Sequence, residues 1–556
     1  MERILPRVQK PARYVGGEFN AIMKDKSKVD TRVAFCFPDT YEIGMSNLGM
    51  RILYGVMNNI EGVWCERCFA PWGDMEQEMR NANIPLYALE SFDPIKDFDI
   101  IAPKGFMASA QNENVLAGVA MTRRATYMYG LQLQPGEKGT LGCGLGQRMS
   151  TGSKGIARPT IEIANTGEKH TIDGVEMEFV YVLDTEAPVE IMIWLPQLKA
   201  FCTAEDMTHN MHNLQTLRGA KVRNGLLWSK AVDTAIERYG DQVEVSFSTH
   251  HWPTWGNERI VNYWEAQRDM YRYLHDQTLH LANRGLTPDE IAEEMKLPAS
   301  LASQFNCRGY YGTLSHNVKA QYDLYFGWFD GNPAHLNPLP PSELGAKYVE
   351  AIGGADKVLE VAKASYAKGE YRWVATLLDN LVFAEPENKE ARQLLADTYS
   401  QLGYQAESGP WRNFYLTGAQ DLFKKNVPYT SKLINDGVLS QMDMGTLLDY
   451  CAIQLNGEKA GGKEAVININ FTDTKEKVML MLNNGVLNHR LGSQDKKADL
   501  TMEIAKMDFV KLFFGRTDLQ TLHKTNKVKT TGDTKAIDII RSACEPADPN
   551  FNIVLP

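Results

Sequence analysis

The spacing of apolar residues changes along the chain, and this change constrains the fold more than any other feature. The segments "GVEMEFVYVLD" and "VEIMIWLP" are typical of strands, whereas "RIVNYWEAQRDMYRYLHDQTLHLANRG" places apolar residues at helical spacing. Strand alternation returns in "EAVININFTDTKEKVMLMLNNGVLNHRLG". Side chains repeat their direction every two residues in a strand and every 3.6 residues in a helix. A chain of 556 residues is too long to fold around one hydrophobic core, and its patterns change from segment to segment, so several domains are expected.

These patterns divide the chain into four units. They are a small α/β unit, a layered α/β unit, a mostly helical unit and an α+β unit, over residues 1–100, 101–255, 256–425 and 426–556. In the first unit, strands are predicted at "TRVAFCFP", "IPLYALE" and "FDIIAP", and a helix at "DMEQEMRNAN". In the second unit, strands that end in polar loops indicate layers of sheet and helix.

Local signals also define parts of the last two units. Thr287, Pro288 and Glu290 predict a helix that begins with a capping box. The segment over residues 364–404 is typical of a tetratricopeptide-type helix pair, which needs neighbours or a second chain to bury its apolar face. The strands over residues 464–492 fit either a tunnel for a lipid-like molecule or a closed accessory core.

Composition excludes several classes of protein. The net charge of −10 offers no basic surface for nucleic acid. No run of about 18 apolar residues occurs, so no membrane span is expected. The start has no signal-peptide pattern, so we expect a cytoplasmic protein.

The eight cysteines are scattered along the sequence. Cys65 and Cys68 form a CxxC without a second pair, so we interpret them as reduced thiols, with a redox or metal role as the alternative.

Three side chains at predicted strand ends are candidate metal ligands. Glu186 precedes one apolar strand, Glu205 follows "KAFCTA", and His250 follows "VEVSFS". Glutamate and histidine suit zinc or a pair of divalent ions, and a carboxylate can bridge two ions. The alternative for each residue alone is a solvated acid or a packed histidine.

Three further histidines lie close to these candidates in sequence. His209 and His212 are three residues apart, and His251 follows His250 directly. We interpret them as side chains that orient the metal ligands through hydrogen bonds. Direct ligation by the HxxH pair and simple packing are the alternatives.

A cluster of donors after Glu205 is typical of an oxyanion site. Arg218 and Arg223 carry guanidinium forks that match a tetrahedral oxyanion, and Gly219 between them permits close approach of the backbone. Asn213, Thr216 and Tyr311 would add neutral donors. Two ordinary surface arginines are the alternative.

From about Ile101 onwards the chain resembles the alkylsulfatases of the metallo-β-lactamase superfamily. The resemblance rests on long segments, among them "AEDMTHNMHNLQTLRGAKVR", "STHHWPTWG", "RGYYGTLSHNVKA" and "QLGYQAESGPWRNFYLTGA". It implies an αββα-type metallo-β-lactamase domain, of which residues 101–255 are the C-terminal part, an α-helical dimerisation domain and a sterol-carrier-like C-terminal domain. It also implies a homodimeric sulfuric ester hydrolase that converts linear alkyl sulfates, such as dodecyl sulfate, to alcohol and sulfate.

The resemblance assigns roles to residues of this chain. Glu186 matches a ligand of the first zinc ion, Glu205 the bridging glutamate, and His250 a ligand of the second zinc ion. The positions that match the sulfate-binding residues are Asn213, Leu214, Gln215, Thr216, Leu217, Arg218, Arg223 and Tyr311.

The chain departs from that family in its histidines. The family's HxHxDH motif supplies two ligands to each zinc ion, but none of the eleven histidines lies in an HxH pair and none precedes His170. We therefore expect doubtful occupancy of the two zinc sites and impaired hydrolysis. The alternative function is a non-catalytic dimer that binds an alkyl or lipid-like molecule.

Residues 1–100 resemble a different family, the radical S-adenosylmethionine proteins with a cobalamin-binding-like first domain. The matching segments are "ERILPRVQKPARYVGGEFN", "FCFPDTYEIGMSNLGMRILYG" and "CERCFAPWGDMEQEMR". The CxxxCxxC cluster motif and a cobalamin DxHxxG motif are absent from the sequence. We interpret the junction at Asp99–Ala102 as a gene fusion or an artefactual join, and favour the second because the junction removes half of the metal site. A replaced N-terminus would leave a periplasmic or secreted location open.

Overall fold

The computed structural model describes residues 2–46, 48–95, 99–149, 156–172, 174–423 and 435–556. The first unit is a βαβ arrangement in which the two strands pair in parallel. Its elements are β1 Thr31–Thr40, α1 Tyr41–Ser46, α2 Leu48–Asn58, β2 Val63–Ala70 and α3 Gly73–Asn81. The predicted strand "IPLYALE" is wrong: Tyr87 makes only an isolated bridge to Pro94. The chain turns back here instead, since Phe92 has a φ of 61° and its N–H bonds to the carbonyl of Ala88.

The second unit holds a six-stranded sheet in the order β10-β9-β8-β7-β6-β5 and a two-stranded parallel sheet of β3 and β4. Its elements are β3 Ile101–Pro103, α4 Phe106–Leu116, α5 Gly118–Met128, β4 Ile161–Ile163, β5 Glu168–Ile172, β6 Val175–Leu183, β7 Val189–Leu195, β8 Ala200–Cys202, α6 Gly225–Tyr239, β9 Val245–Phe247 and β10 Thr254–Trp255. The large sheet buries Phe201 against Trp228 and Trp264, which lie on α6 and on the next helix.

Strand direction decides where the loops of this sheet meet. β8 and β9 run parallel, so their C-terminal ends lie at one edge. β7 runs antiparallel to both β6 and β8, so the loop between β6 and β7 reaches the same edge. The loops that follow β6, β8 and β9 therefore converge, and these loops contain the predicted metal ligands.

The third unit consists of helices. They are α7 Asn257–Ala282, α8 Pro288–Glu294, α9 Ala299–Ala302, α10 Leu314–Phe326, α11 Pro341–Ile352, α12 Ala355–Ala367, α13 Tyr371–Ala384, α14 Lys389–Gln405 and α15 Gly409–Asp421. The capping box at Thr287 and Glu290 is confirmed, with both reciprocal bonds formed. Helices α13 and α14 form the expected antiparallel pair, and α11, α12 and α15 cover their apolar faces. None of the helices in the described ranges is long and apolar enough to cross a membrane.

The fourth unit is a five-stranded mixed sheet in the order β13-β12-β11-β14-β15. Its elements are α16 Asp436–Gln441, α17 Met444–Ala452, α18 Gly457–Ala460, β11 Ala465–Phe471, β12 Lys477–Asn483, β13 Val486–Leu491, β14 Leu500–Ile504, α19 Lys506–Phe513, α20 Leu519–Lys524, β15 Val528–Gly532 and α21 Lys535–Ser542. Asn484 and Gly485 both have positive φ, which suits the two-residue turn between β12 and β13. Ile467, Phe509 and Ile540 belong to one continuous core of sheet and helices.

A buried polar contact joins the second unit to the third. Arg123 on α5 donates to the carboxylate of Asp421 on α15 at 2.7 Å, and the hydroxyl of Tyr127 donates to the same oxygen. Asn413 on α15 donates to the carbonyl of Gly142 at 3.0 Å. The loop around Gly142 is thereby held against the helical unit, close to the edge where the sheet loops converge.

Candidate metal and anion site

Two glutamates and two histidines meet at the converging loops. One carboxylate oxygen of Glu205 lies 3.2 Å from Nε2 of His212 and 3.1 Å from Nε2 of His250. One potential ligand atom from each of Glu186, Glu205 and His212 lies within 4.8 Å of the other two. The structure thus brings together all three predicted ligands and adds His212, which the sequence had suggested mainly as an orienting side chain, with direct ligation as an alternative.

Electrostatics favour charged partners in this cluster. Burial opposes ionisation of Glu205, but the hydrogen bonds and charges of His212 and His250 hold its pKa well below the usual value. Burial also opposes protonation of His250, yet the bond to Glu205 and its charge raise the pKa of His250. The carboxylate of Glu205 thus has two histidines as hydrogen-bond partners.

Arg223 neutralises the other glutamate. Its side chain is almost fully buried, forms an ion pair with the carboxylate of Glu186, and donates from Nε to the Glu186 carbonyl at 2.6 Å. Its Nη1 donates to the backbone carbonyl of Asn213 at 2.8 Å and lies 3.1 Å from Nδ1 of His212. Burial opposes the charge of Arg223, but Glu186 raises its pKa above the ordinary value. A fixed cation therefore lies beside the candidate ligands.

Two further acids lie beside the cluster, and sequence reasoning missed both: Asp206 is fully buried, and Glu190 is half-buried with one carboxylate oxygen shielded from solvent. Glu190 accepts from the backbone N–H of Glu205 at 3.0 Å. Among the described residues, the second oxygen of Glu190 and both oxygens of Asp206 have no hydrogen bond of normal geometry. Burial raises the pKa of Asp206 to about 7, and burial together with the charge of Asp206 raises the pKa of Glu190. The sequence feature that could have revealed Glu190 is its carboxylate inside the apolar strand "VEIMIWL".

The two other predicted orienting histidines lie beside each other, with ring centres 5.8 Å apart. Nε2 of His209 is 3.0 Å from the hydroxyl of Thr254, and its ring meets the edge of Tyr263 at 4.4 Å. Burial lowers the pKa of His209, and it lowers that of His251 to about 4. These neutral rings pack against the loops of the site, and neither makes a hydrogen bond to Glu205 in the described part of the chain.

The predicted sulfate-binding positions divide into two groups. Arg223, Asn213 and Tyr311 surround His212: the Asn213 side chain accepts from Arg223 at 2.5 Å, and the Tyr311 ring centre lies 4.8 Å from that of His212. The hydroxyl of Tyr311 is 3.3 Å from that of Tyr129. Burial raises the pKa of Tyr311 far above its ordinary value, so this hydroxyl stays protonated and can donate.

The remaining positions hold the loop in place. Leu214 lies in the core and its N–H donates to Asn317 at 2.8 Å, while the carbonyl of Leu217 accepts from Arg124 at 2.8 Å. The Arg218 guanidinium donates to the side-chain carbonyl of Asn114 at 3.1 Å. Gln215 is half-buried, and the hydroxyl of Thr216 is buried without a hydrogen-bond partner in the described residues.

The donor set fits one divalent ion and does not fit two. Two tetrahedral ions that share one carboxylate need about seven protein or water ligands, with histidine or carboxylate donors on both sides. The described residues supply one group of three such donors, Glu186, Glu205 and His212, and His250 contacts the same oxygen of Glu205 as His212 without joining that group. A two-ion centre therefore has too few side chains here.

Family models and relatives match most of the chain. The models described as "Alkyl sulfatase dimerisation" and "Alkyl sulfatase C-terminal" match residues 287–425 and 432–556, and "Radical SAM proteins, N-terminal" matches residues 49–116. A linear primary-alkylsulfatase of Pseudomonas sp is 47% identical over 459 residues, which cover 82% of this chain and 68% of that protein. The chain belongs to the alkylsulfatase family. An alkyl/aryl-sulfatase (BDS1) of Saccharomyces cerevisiae is 43% identical, with 83% of this chain and 71% of that protein covered.

A solved structure supports the same family at the level of the fold. The stereoselective inverting sec-alkylsulfatase Pisa1 from Pseudomonas sp. superimposes with a TM-score of 0.80 and 42% identity, covering 82% of this chain and 72% of that one. The predicted multidomain α/β and α+β fold class and the resemblance to the alkylsulfatases are confirmed. The alkylsulfatase family is one of sulfuric ester hydrolases, and the grouping of Glu186, Glu205 and His212 in this chain is consistent with use of a metal ion.

Proposed function

We propose that this chain binds linear alkyl sulfate esters and hydrolyses them at a one-ion site, far more slowly than its relatives. The observation that carries the proposal is the convergence of Glu186, Glu205 and His212 beside the buried guanidinium of Arg223. Two carboxylates and an imidazole suit zinc among the divalent ions. A bound ion of this kind supplies Lewis acidity and lowers the pKa of water.

The residues around this site can hold the sulfate group. In the proposal, Arg218 and Arg223 bind its oxygens, since planar guanidinium forks match tetrahedral oxyanions. Tyr311 donates from a hydroxyl that burial keeps protonated. Asn213 fixes Arg223 through its backbone and side-chain oxygens, and His250 holds Glu205 in place.

The slow rate follows from the donor count. Two-metal hydrolases clamp both the attacking and the leaving oxygen between their ions. A single ion with three protein donors cannot provide both clamps. Arg223 supplies one positive charge near Glu186 in place of a second ion, and a fixed guanidinium stabilises an oxyanion without activating water.

We further propose that the chain is a homodimer through its helical unit. The family model for alkylsulfatase dimerisation covers residues 287–425. Within that range, several large apolar side chains at the end of α10 and in the segment before α11 are exposed: Tyr325, Phe326, Trp328, Leu336 and Leu339. Trp328 is 75% exposed, which is unusual for a residue that contacts no partner. Light scattering is expected to give the mass of two chains, and the mass of one chain would refute the dimer.

Metal analysis combined with sulfate release tests the site. Purified chain loaded with zinc and then dialysed is expected to retain one ion and to release sulfate from dodecyl sulfate slowly. Glu205→Gln is expected to lose both the ion and the release, whereas Glu244→Gln, an exposed glutamate paired with Lys199, should keep both. Two ions per chain with rapid release would overturn the one-ion site, and no retained ion would overturn the metal site altogether.

A binding protein without catalysis is the second candidate. It is favoured by Arg223, which already satisfies Glu186, and by the intact helical and C-terminal units. Calorimetry would then show dodecyl sulfate binding that EDTA leaves unchanged, with no sulfate release at any metal concentration. Radical or cobalamin chemistry from the first unit would instead require iron or cobalt, which elemental analysis of the same preparation detects.

A further inference from the structure

The two cysteines of the CxxC motif in the first unit do not lie side by side in the structure. Cys65 and Cys68 both lie on β2, three residues apart. Successive side chains of a strand point to opposite faces, so an odd spacing places these two thiols on opposite sides of the sheet. The CxxC in this chain is therefore not a unit that can close on itself.

Strand pairing gives Cys68 another partner. β1 and β2 are parallel and in register from Thr31 to Phe37, and Cys36 lies directly opposite Cys68. Paired residues of neighbouring strands share one face, at a strand spacing of about 4.8 Å. Disulfides join residues whose Cα atoms are about 4.4 to 6.8 Å apart, so the pair lies within bridging range.

The two thiols differ in exposure and acidity. Cys36 is the one cysteine of the eight, all of which lie in described segments, that is exposed. Cys68 is 4% exposed. A hydrogen bond from the Cys68 thiol lowers the pKa of Cys36, and the same bond together with burial raises the pKa of Cys68. Thiolate character and access decide which thiol attacks first. Cys36 is thus suited to attack, and Cys68 is suited to resolve the product.

We propose that Cys36 and Cys68 form a reversible disulfide by exchange with small-molecule disulfides such as oxidised glutathione. The Cys36 thiolate attacks one sulfur of the small disulfide, which forms a mixed disulfide and releases one small thiolate. Cys68 then loses its proton and attacks the Cys36 sulfur, which releases the second small thiolate. In total, two protein thiols are oxidised to one disulfide and one small disulfide is reduced to two thiols.

This modification site is independent of the proposed hydrolysis. Neither cysteine is among the residues that contact Glu186 or Glu205, and Cys202, beside the metal loops, is only partly exposed. The bond would tie β1 to β2 at the C-terminal part of their paired segment, where the register shifts between Phe37 and Thr40. Oxidation would therefore fasten the end of a small sheet that has only two strands.

Trypsin separates the relevant thiols, because it cleaves after Arg32, Arg51, Arg67 and Arg80. Cys36, Cys65 and Cys68 then lie in three different peptides, 33–51, 52–67 and 68–80. The full chain is treated with excess oxidised glutathione, blocked with N-ethylmaleimide and mapped without reduction. The expected result is a linked pair of peptides 33–51 and 68–80, with Cys65 still free, and loss of the link after treatment with reduced glutathione.

Matched variants separate the steps. Cys68→Ser is expected to accumulate glutathione on Cys36, since the resolving thiol is gone, and Cys36→Ser is expected to leave Cys68 unmodified. Cys65→Ser should behave as the parent chain. Circular dichroism checks that each variant folds, and the mapping of the parent chain decides the matter even where a variant does not. A Cys36 that stays alkylatable, keeps glutathione in the parent chain, or links to Cys65 would overturn the proposal.

Discussion

Replacing Arg223 by methionine should weaken the metal-free fold and strengthen metal binding together. Methionine keeps much of the apolar stem and removes the charge. Arg223 is buried, its ion-pair partner Glu186 has a side chain that is 19% exposed, and the backbone carbonyl of Asn213 loses a donor at 2.8 Å. Breaking one partner of a buried ion pair costs about 3–5 kcal/mol, and some exposure of Glu186 places the expected loss near about 3 kcal/mol.

The same substitution removes a positive charge from beside the candidate ligands. Two unit charges about 4 Å apart interact by about 4 kcal/mol at an effective dielectric constant of about 20, so a divalent ion near Glu186 is repelled strongly by Arg223. Rearrangement of Glu186 and of water will reduce this repulsion. We expect at least a tenfold decrease in the zinc dissociation constant, which corresponds to about 1.4 kcal/mol.

Urea unfolding of the second unit, followed by tryptophan fluorescence with EDTA or with zinc, measures both effects. Arg223→Met should unfold at lower urea in EDTA, and zinc at about 100 times its dissociation constant should restore about 2.7 kcal/mol. Arg218→Met is the matched control, because that guanidinium contacts the neutral oxygens of Asn114 and Gly219 instead of a carboxylate. An Arg223→Met chain that is as stable as the parent in EDTA, or binds zinc no more tightly, would refute the reasoning.

Three further predictions concern other contacts. Glu205→Gln should lower the pKa of His250, measured by NMR titration. The pair of His250 and Glu205 stabilises the fold fully at pH values below about 6.5, the pKa of an unfolded histidine. This stabilisation is lost as the pH rises through the raised pKa of His250 in the folded chain. Glu205→Gln should therefore lack this dependence of stability on pH. Thr287→Ala should destabilise the helical unit by about 1 kcal/mol in thermal unfolding, because it removes the capping box. Asp421→Asn should speed proteolysis at the contact between the second and third units, with a loss of about 3 kcal/mol, since the buried guanidinium loses its counter-ion.

Matched controls accompany the last two of these changes. Thr234→Ala removes an exposed hydroxyl that bonds within α6 to the carbonyl of Lys230, so little change is expected. Asp397→Asn removes an exposed acid of α14 that bonds to Gln393. A His250 pKa that does not move in Glu205→Gln, or controls that lose as much stability as their partners, would contradict the proposed contacts.

Some elements were predictable because their causes are local. The capping box of Thr287 and Glu290 depends on residues three apart, and the turn at Asn484 and Gly485 depends on two adjacent residues with positive φ. Alternation in the C-terminal strands likewise indicated their buried face. The segment over residues 84–90 failed because its apolar composition resembles a strand while its backbone hydrogen bonds form a turn instead.

The candidate site was predictable only in part. Glu186, Glu205 and His250 stood out because each lies at the end of a predicted strand. His212 was expected mainly as an orienting side chain, since only the fold of the loop after β8 brings it within 4.8 Å of both glutamates. Glu190 and Asp206 also escaped notice, because the burial of single carboxylate oxygens without hydrogen-bond partners is a property of the assembled core.

The sequence by itself determined most of the succession of helices and strands, the family, and the absence of paired histidines, since each is written in short segments. Tertiary structure decided which distant residues meet. Parallel register placed Cys36 opposite Cys68 and left Cys65 on the other face. Strand direction brought Glu186 and Glu205 to one edge of the sheet, where Arg223 occupies part of the space between ligands. Such contacts depend on register and direction, and the sequence carries both only through the packing of the whole domain.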